Sequence, residues 1–474
     1  MRTLFLLAGL NCLVACGSDE DTPSQGSPDA AVGGSGGADA SSGGTGGDAA
    51  ATGGGAGQGG TSGEGGSGGV GGSGGSGGVS GTGGSGGTTT DGGAGAGGSA
   101  CVDSCPVDQG VPWSCQKRFM YGMNYAWRSF AGDFGGVTPW DISGVSAAPD
   151  DYDADLADMR AHGANVIRWW VFPDFRGDGV TFDGSETPIG LGGTALADLQ
   201  KALELAEQND LYLMLCLFSF DGFRPSESVA GIWTPGIAPI VQTPAKRTAL
   251  LENVVRPFAA AAAASPHAHR LIAWDVINEP EWAMTGPSPY GDQNYDPSAD
   301  LDPINHAEME SFVGDVVSVL RDESQALITV GGTAFKWANA WTQTDVDFYQ
   351  FHMYEWIDQW WPYTDPASTY GLTKPIVMGE FPMGDLKPGA SYDDVVSSWW
   401  QHGFAGALSW HYDEATAAGL DSVKAFADEH ACETRYTVGQ GSLRKKTLDR
   451  VRTPSTISER RCGVVSGRAV CSSI

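Results

Sequence analysis

Positive charge is scarce in this chain. Its 474 residues include 27 Lys and Arg against 57 Asp and Glu, a formal net charge of −30, and the sequence pI is near 4.4. A surface of that sign repels phosphate backbones, which excludes nucleic acid as a partner. A long apolar run near the start is missing too: the stretch 4–10 and the Leu13-Val14-Ala15 that follows are too short to span a bilayer as a helix. No Gly-x-Gly-x-x-Gly follows the first apolar run of the folded part, so the dinucleotide-binding fingerprint is absent. No histidine stands at finger spacing from Cys101, Cys105 and Cys115, which favours disulfides over zinc. The acidic stretch 150–155 lacks the glycine and closing glutamate of a calcium loop and suits a helix N-terminus instead. His267-x-His269 precedes an apolar run, on the side away from the expected site, and reads as a solvated loop.

What is present begins with an address. Arg2, the apolar run 4–10 and the ending Leu13-Val14-Ala15-Cys16 form a secretory leader. The last four residues resemble the bacterial lipobox, which implies that Cys16 is lipidated and anchors the exported chain to the cell envelope. A plain signal peptide cut nearby is the alternative. Residues 17–100 are dominated by Gly, Ser, Thr, Ala and Asp. Such a stretch buries nothing and is expected to be a disordered tether, with an r.m.s. span of roughly 50 Å. Export implies an oxidising compartment, so local disulfides are expected among the nine cysteines. Cys216, inside an apolar run, is expected to be a buried free thiol.

After a cysteine-containing lead-in at 101–118, short apolar runs alternate with helix-period segments. The runs 119–124, 165–172, 211–218, 271–278, 326–331, 347–354, 375–380 and 404–412 read as strands. Segments 153–162, 194–209, 243–264, 305–323, 392–402 and 420–431 read as helices, the third tolerating Pro257 only as a kink or break. Near-continuous apolar strands are those of a parallel sheet buried on both faces. Eight such units predict an α/β protein, a closed (β/α)8 TIM barrel over 119–431. The tail 432–474 is basic and has little apolar periodicity. It reads as a solvated extension, a small disulfide-bonded cap, or an out-of-frame stretch.

In such a barrel the chemistry sits at the C-terminal ends of the strands. Polar residues end several of the apolar runs: Arg168 in Asn-Val-Ile-Arg-Trp-Trp, Asn278 and Glu279 in Ala-Trp-Asp-Val-Ile-Asn-Glu-Pro, His352 and Tyr354 in Tyr-Gln-Phe-His-Met-Tyr, Glu380 in Pro-Ile-Val-Met-Gly-Glu-Phe, and Trp410 in Ala-Leu-Ser-Trp-His-Tyr. A merely solvated charge has no reason to recur there, though an Arg–Glu pair is also compatible with a purely structural ion pair. Two carboxylates on opposite strands suit glycosidic bond cleavage. Sixteen tryptophans include Trp127, Trp169, Trp170, Trp282, Trp356, Trp360 and Trp361 near strand ends, as candidate stacking surfaces for sugar rings or as ordinary packing.

Asn-Glu-Pro and Gly-Glu-Phe at these places resemble glycoside hydrolase clan A. His-x-Tyr and the strand-eight tryptophan make the chain similar to family 5, the cellulase and mannanase family, over most of 119–431. The resemblance implies a retaining hydrolase in which Glu279 is the general acid/base and Glu380 the nucleophile, with carboxyls about 5–5.5 Å apart. Tyr354 would then donate to the nucleophile, Arg168 would keep it ionised, Asn278 would bind the sugar 2-hydroxyl, His352 would set the protonation of the acid/base, and Trp410 would floor the sugar ring. One departure stands out: the third strand ends Leu217-Phe218-Ser219-Phe220-Asp221, where many members carry histidine. The expected activity is cleavage of a β-mannan or β-glucan, endo-acting in view of the long loop 281–301 and the tryptophan-rich 356–361. An exo-acting or transglycosylating relative and a non-catalytic glycan-binding lipoprotein are the alternatives. No cofactor or metal is implied, and the enzyme is expected to act as a monomer whose only membrane contact is its lipid.

Overall fold

The chain divides into two units, Met1–Gly97 and Gly98–Ile474. The computed structural model describes residues 103–354, 365–384, 386 and 390–438, with the backbone alone of 462–465 and 468–471. The leader, Cys16 and the glycine-rich stretch lie outside the described residues, as do Cys101, Trp356, Trp360 and Trp361. Among the described residues no helix is long and apolar enough to cross a membrane.

Eight strands close into a barrel: β1 Met120–Asn124, β2 Val166–Trp170, β3 Tyr212–Ser219, β4 Leu271–Asn278, β5 Leu327–Gly332, β6 Tyr349–His352, β7 Ile376–Glu380 and β8 Gly406–Ser409. Every neighbouring pair is parallel, and β8 returns to pair with β1. The expected (β/α)8 barrel is therefore the fold. All eight residues of β3 and of β4 are buried, because one face meets the outer helices and the other fills the barrel. Where β1 and β2 approach, a side chain at Gly122 would start 1.8 Å from the Val166 carbonyl oxygen, so only glycine fits.

The helices outside are α1 Pro149–Ala161, α2 Ala195–Gln208, α3 Ile237–Gln242, α4 Pro244–Leu250, α5 Arg256–Ala264, α6 His306–Glu323, α7 Tyr392–Gln401 and α8 Ala417–Glu429. Three differ from the sequence reading, and of these α3 falls where no helix was expected. α1 begins at Pro149, four residues before the expected start, because proline is at home in a first turn, where its missing N–H would have no partner. The segment expected as one helix with a break near Pro257 is α4, a π-turn at Leu251–Val255, then α5 with Pro257 in its first turn. The wider turn accommodates a ring that cannot donate the regular helical bond. α6 is fixed by a capping box, Asn305 and Glu308 each bonding the other's backbone N–H.

The lead-in and the residues after 431 belong to the packed body. A hairpin of Val111–Trp113 with Gln116–Arg118 precedes β1. Val111 and the fully buried Tyr436 join Met120, Val166, Tyr212, Ile272 and Phe348 in a cluster that plugs the N-terminal end of the barrel. The Tyr436 hydroxyl donates to the Val111 carbonyl at 2.7 Å, and Asn165 accepts from the Tyr436 N–H at 2.8 Å. Beneath them, Cys105 is bonded to Cys432, 327 residues away in sequence. This corrects the expectation of purely local disulfides: the bridge joins the segment before β1 to the segment after α8. Cys115 is also disulfide-bonded, and Cys216 is the buried free thiol expected. Farther along the tail, Cys462–Val465 and Arg468–Cys471 form an antiparallel hairpin.

At the other end of the barrel the connections are elaborated. An antiparallel hairpin, Val180–Phe182 with Pro188–Leu191, lies between β2 and α2. A second, Glu227–Val229 with Ile232–Thr234, lies between β3 and α3. The long loop after β4 is tied by a short parallel pair, Met284–Thr285 with Ile304–Asn305. These loops form the wall in which a barrel carries its chemistry.

Candidate active site

Arg168 is wholly buried, and the sequence reading placed it one turn of pleat too far out. β2 does not end there but runs on to Trp170, so the guanidinium sits inside the barrel, opposite Asn124 of β1 and Met214 of β3. Each arm of its fork is used. Nε donates to Asp275 at 2.8 Å, Nη1 to Asn124 at 2.9 Å and to Glu380 at 2.6 Å, and Nη2 to Asn278 at 2.8 Å. Asp275 also accepts from the Gly331 N–H at 2.8 Å and the Gln350 amide at 2.9 Å. A buried charge survives only when paired and hydrogen-bonded on all sides, and this one is.

Glu380 ends β7, in register with His352 at the end of β6. Its second oxygen accepts from the Tyr354 hydroxyl at 3.2 Å. Glu279 follows β4 in a left-handed conformation, φ 47° and ψ 47°. A side chain in that region is strained by roughly 1–3 kcal/mol, a cost met at functional sites when the surroundings hold it. The holding groups are visible. The Glu279 N–H bonds the Gly331 carbonyl at 2.6 Å, and Trp282 Nε1 donates to the Glu279 carboxyl at 3.0 Å. His352 bridges the two acids, with Nδ1 at 2.8 Å from Glu279 and 3.4 Å from Glu380. Facing atoms of these three residues lie within 4.8 Å of one another.

Acids whose facing oxygens approach that closely suit the spacing of a retaining pair, about 5–5.5 Å between carboxyls, better than the roughly 6.5–9.5 Å of an inverting one. They are also close enough to hold a cation, but the Arg168 guanidinium already supplies the positive charge at Glu380.

Burial separates the protonation states. It pushes Glu279 up to about 8, opposed by the Trp282 hydrogen bond and the more remote Arg168 charge. Burial also raises Glu380, and the Arg168 guanidinium at direct contact opposes that rise without cancelling it. His352 is driven down to about 4 by burial, so its ring is neutral near pH 7. The surroundings thus differ: Glu279 is held protonated near pH 7, while Glu380 has the buried Arg168 guanidinium in direct contact, which favours its anion. This is the division that acid catalysis on one side and nucleophilic attack on the other require.

The tryptophans divide. Trp169 is core, stacked on Tyr152 and donating to Asp133 at 2.8 Å. Trp127 and Trp170 pack edge to face with each other and with Phe130 beside the site, and Trp410 packs against both tryptophans, Trp127 and Trp410 half-buried. Trp282 spends its indole N–H on Glu279 and packs against Trp337.

Four buried polar residues escaped the sequence reading: Asn124, Asp275, Glu281 and Gln350. Asp275 carried a signal, a charge in the middle of an apolar strand. Glu281, 1% exposed, is pushed by burial to about 7. It accepts from Trp341 at 2.7 Å and from the Thr333 N–H and hydroxyl at 3.0 and 2.8 Å. It thereby anchors the turn Pro280–Ala283 directly after Glu279.

No family model matches the chain. A mannan endo-1,4-beta-mannosidase of Mytilus edulis is 22% identical over 327 residues, 62% of this chain and 83% of that protein. One of Cryptopygus antarcticus is 25% identical over 339 residues, 63% of this chain and 81% of that protein. Among solved structures, the beta-1,4-mannanase of the sea hare Aplysia kurodai superposes with a TM-score of 0.58 at 21% identity, covering 70% of this chain and 98% of its own. The chain is thus similar to endo-1,4-β-mannanases at low identity and shares the parallel (β/α)8 barrel of their solved structures.

Proposed function

We propose that the chain is an exported, retaining endo-β-mannanase in which Glu279 is the general acid/base and Glu380 the nucleophile. The observation that carries the mechanism is the pair itself: two buried carboxyls with facing oxygens within 4.8 Å, one paired to Arg168 and the other holding a proton. Glu380 attacks the anomeric carbon while Glu279 protonates the departing glycosidic oxygen. Glu279 then takes a proton from water, which attacks the glycosyl-enzyme from the vacated side. Tyr354 and Arg168 hold the nucleophile. The Asn278 oxygen is fixed by Arg168, so its NH2 end is the one free to meet the sugar 2-hydroxyl. Trp410 and Trp127 supply the apolar floor.

Mannan as substrate and internal cleavage are supported by the similarity to two mannan endo-1,4-beta-mannosidases. Export with a lipid on Cys16 and a glycine-rich tether is supported by the leader sequence, and an oxidising destination by the Cys105–Cys432 bridge. The folded catalytic part spans the lead-in through residue 438.

The test is product analysis on β-mannan, carboxymethyl cellulose, xylan and mixed-linkage glucan. Mannan should yield oligosaccharides whose newly formed anomer keeps the β-configuration by NMR, and Glu380→Gln should yield none. Release of mannose alone would overturn endo action. Binding of mannan with no cleavage of any polymer or aryl glycoside would make the barrel a glycan-binding protein.

A further inference from the structure

We propose that Trp233 and the cavity beside it form a distal subsite for a neutral β-linked sugar chain, on the same face of the barrel as Glu279 and Glu380 but outside their cleft. The inference rests on the reading of the chain as a polysaccharide hydrolase and extends it to a place on the surface that the chemistry does not use.

Trp233 is 58% exposed, more than any other large apolar side chain among the described residues. An indole left in water is unusual unless something covers it. It is also held in place. Its Nε1 donates to Glu186 at 3.0 Å, and the other oxygen of Glu186 accepts from Ser226 at 3.2 Å. Glu186 itself takes a left-handed φ of 59° at the turn of the first added hairpin. The in-plane N–H is thus tied down, and among the described residues no aromatic ring packs on the faces of the indole. Beside it lies a cavity of about 400 Å³ lined by Phe182, Asp183, Gly184, Glu186, Trp233 and Pro235. Its walls are the two hairpins that follow β2 and β3, both rising from the C-terminal ends of barrel strands.

A fixed aromatic face bordered by carboxylate oxygens matches the two sides of a pyranose: the ring stacks its C–H face, and the oxygens accept from hydroxyls. One Asp183 oxygen is spent on Ser185 and Thr187 of its own turn, but the other is not engaged there. Two acidic groups in a chain of net charge −30 repel uronates and phosphates, so the occupant is an uncharged hexose chain. Its natural source is the polymer whose other part lies in the cleft, which gains a second point of attachment.

The experiment uses the full chain carrying Glu380→Gln and measures calorimetric binding of manno-oligosaccharides of increasing length, with and without Trp233→Ala. Long chains should lose about three- to tenfold in affinity, the contribution of one stacked ring, and the shortest should lose nothing. Trp233→Phe should recover much of the loss. In the active chain, Trp233→Ala should raise KM for mannan by the same factor and leave cleavage of the shortest substrate unchanged. Equal effects on long and short chains, or none on either, would overturn the subsite. Should the wild type cut no mannan, the function proposed above fails by itself. The binding arm is then run with β-glucan and xylan chains, where Trp233-dependent, length-dependent binding to any of them supports the subsite and its absence from all of them removes it.

Discussion

Removing the Arg168 guanidinium leaves two buried carboxylates, Asp275 and Glu380, without their counter-charge, and the amide oxygens of Asn124 and Asn278 without that donor. Arg168→Leu should therefore destabilise the fold by about 3–5 kcal/mol, read as a fall in Tm. Arg168→Lys keeps the charge but not the fork, so it should fold better and still lose on the order of 10²-fold in kcat. At Glu279 the prediction concerns pH. A carboxyl raised to about 8 carries its proton below that value and loses it above, so kcat/KM should fall as pH rises through about 8. In Glu279→Ala that alkaline limb should disappear, while aryl glycosides with good leaving groups still form the glycosyl-enzyme. A wild-type profile flat to pH 10 would deny Glu279 its role as acid. At this scale the sequence was readable where a polar residue ended an apolar run, as Glu279, His352 and Glu380 do. It was not readable at Asn124 or Gln350, whose importance comes only from what Arg168 and Asp275 bring to them across the barrel.

The turn Pro280–Ala283 is the element that gives Glu279 its direction, and Glu281 is the peg that holds the turn. The peg touches no substrate, so its loss should lower kcat and leave KM nearly unchanged. Both Glu281→Gln, which turns an NH2 toward donors already in place, and Glu281→Ala should cost about tenfold in kcat and shift the alkaline limb of the pH profile. A change confined to Tm would reduce Glu281 to a packing residue. The eight strands were legible because a strand buried on both faces is apolar at nearly every position, as β3 and β4 are. The added hairpins after β2 and β3 were not, since half-exposed loop strands of three or four residues have no periodicity to read. The π-turn before Pro257 was half legible: the proline forbade a regular helix, but nothing in the sequence said how the chain would avoid one.

For the whole molecule, closure depends on pieces outside the barrel pattern. Tyr436 and Val111 plug the N-terminal end, and the Cys105–Cys432 bridge fastens the strap that carries them. Cys105→Ser should cost about 2–5 kcal/mol. Cys105→Ser with Cys432→Ser should cost no more than either alone, and reductant should lower the wild-type Tm to match. Neither the bridge nor the plug could be read in advance. A cysteine's partner is a matter of space, and Tyr436 stands in a segment whose basic composition resembles tail more than core.

That bridge has a further consequence. With Cys105 and Cys432 joined, everything between them is a covalent ring, and a ring opened once is still a single piece. A protease that clips the exposed tip at Ala230 and Gly231, where both residues take positive φ, would leave two chain segments that migrate together without reductant and part when it is added. The barrel, with all its strands still paired, would go on working after the cut, so damage that severs the backbone in one loop would not count as loss of the enzyme.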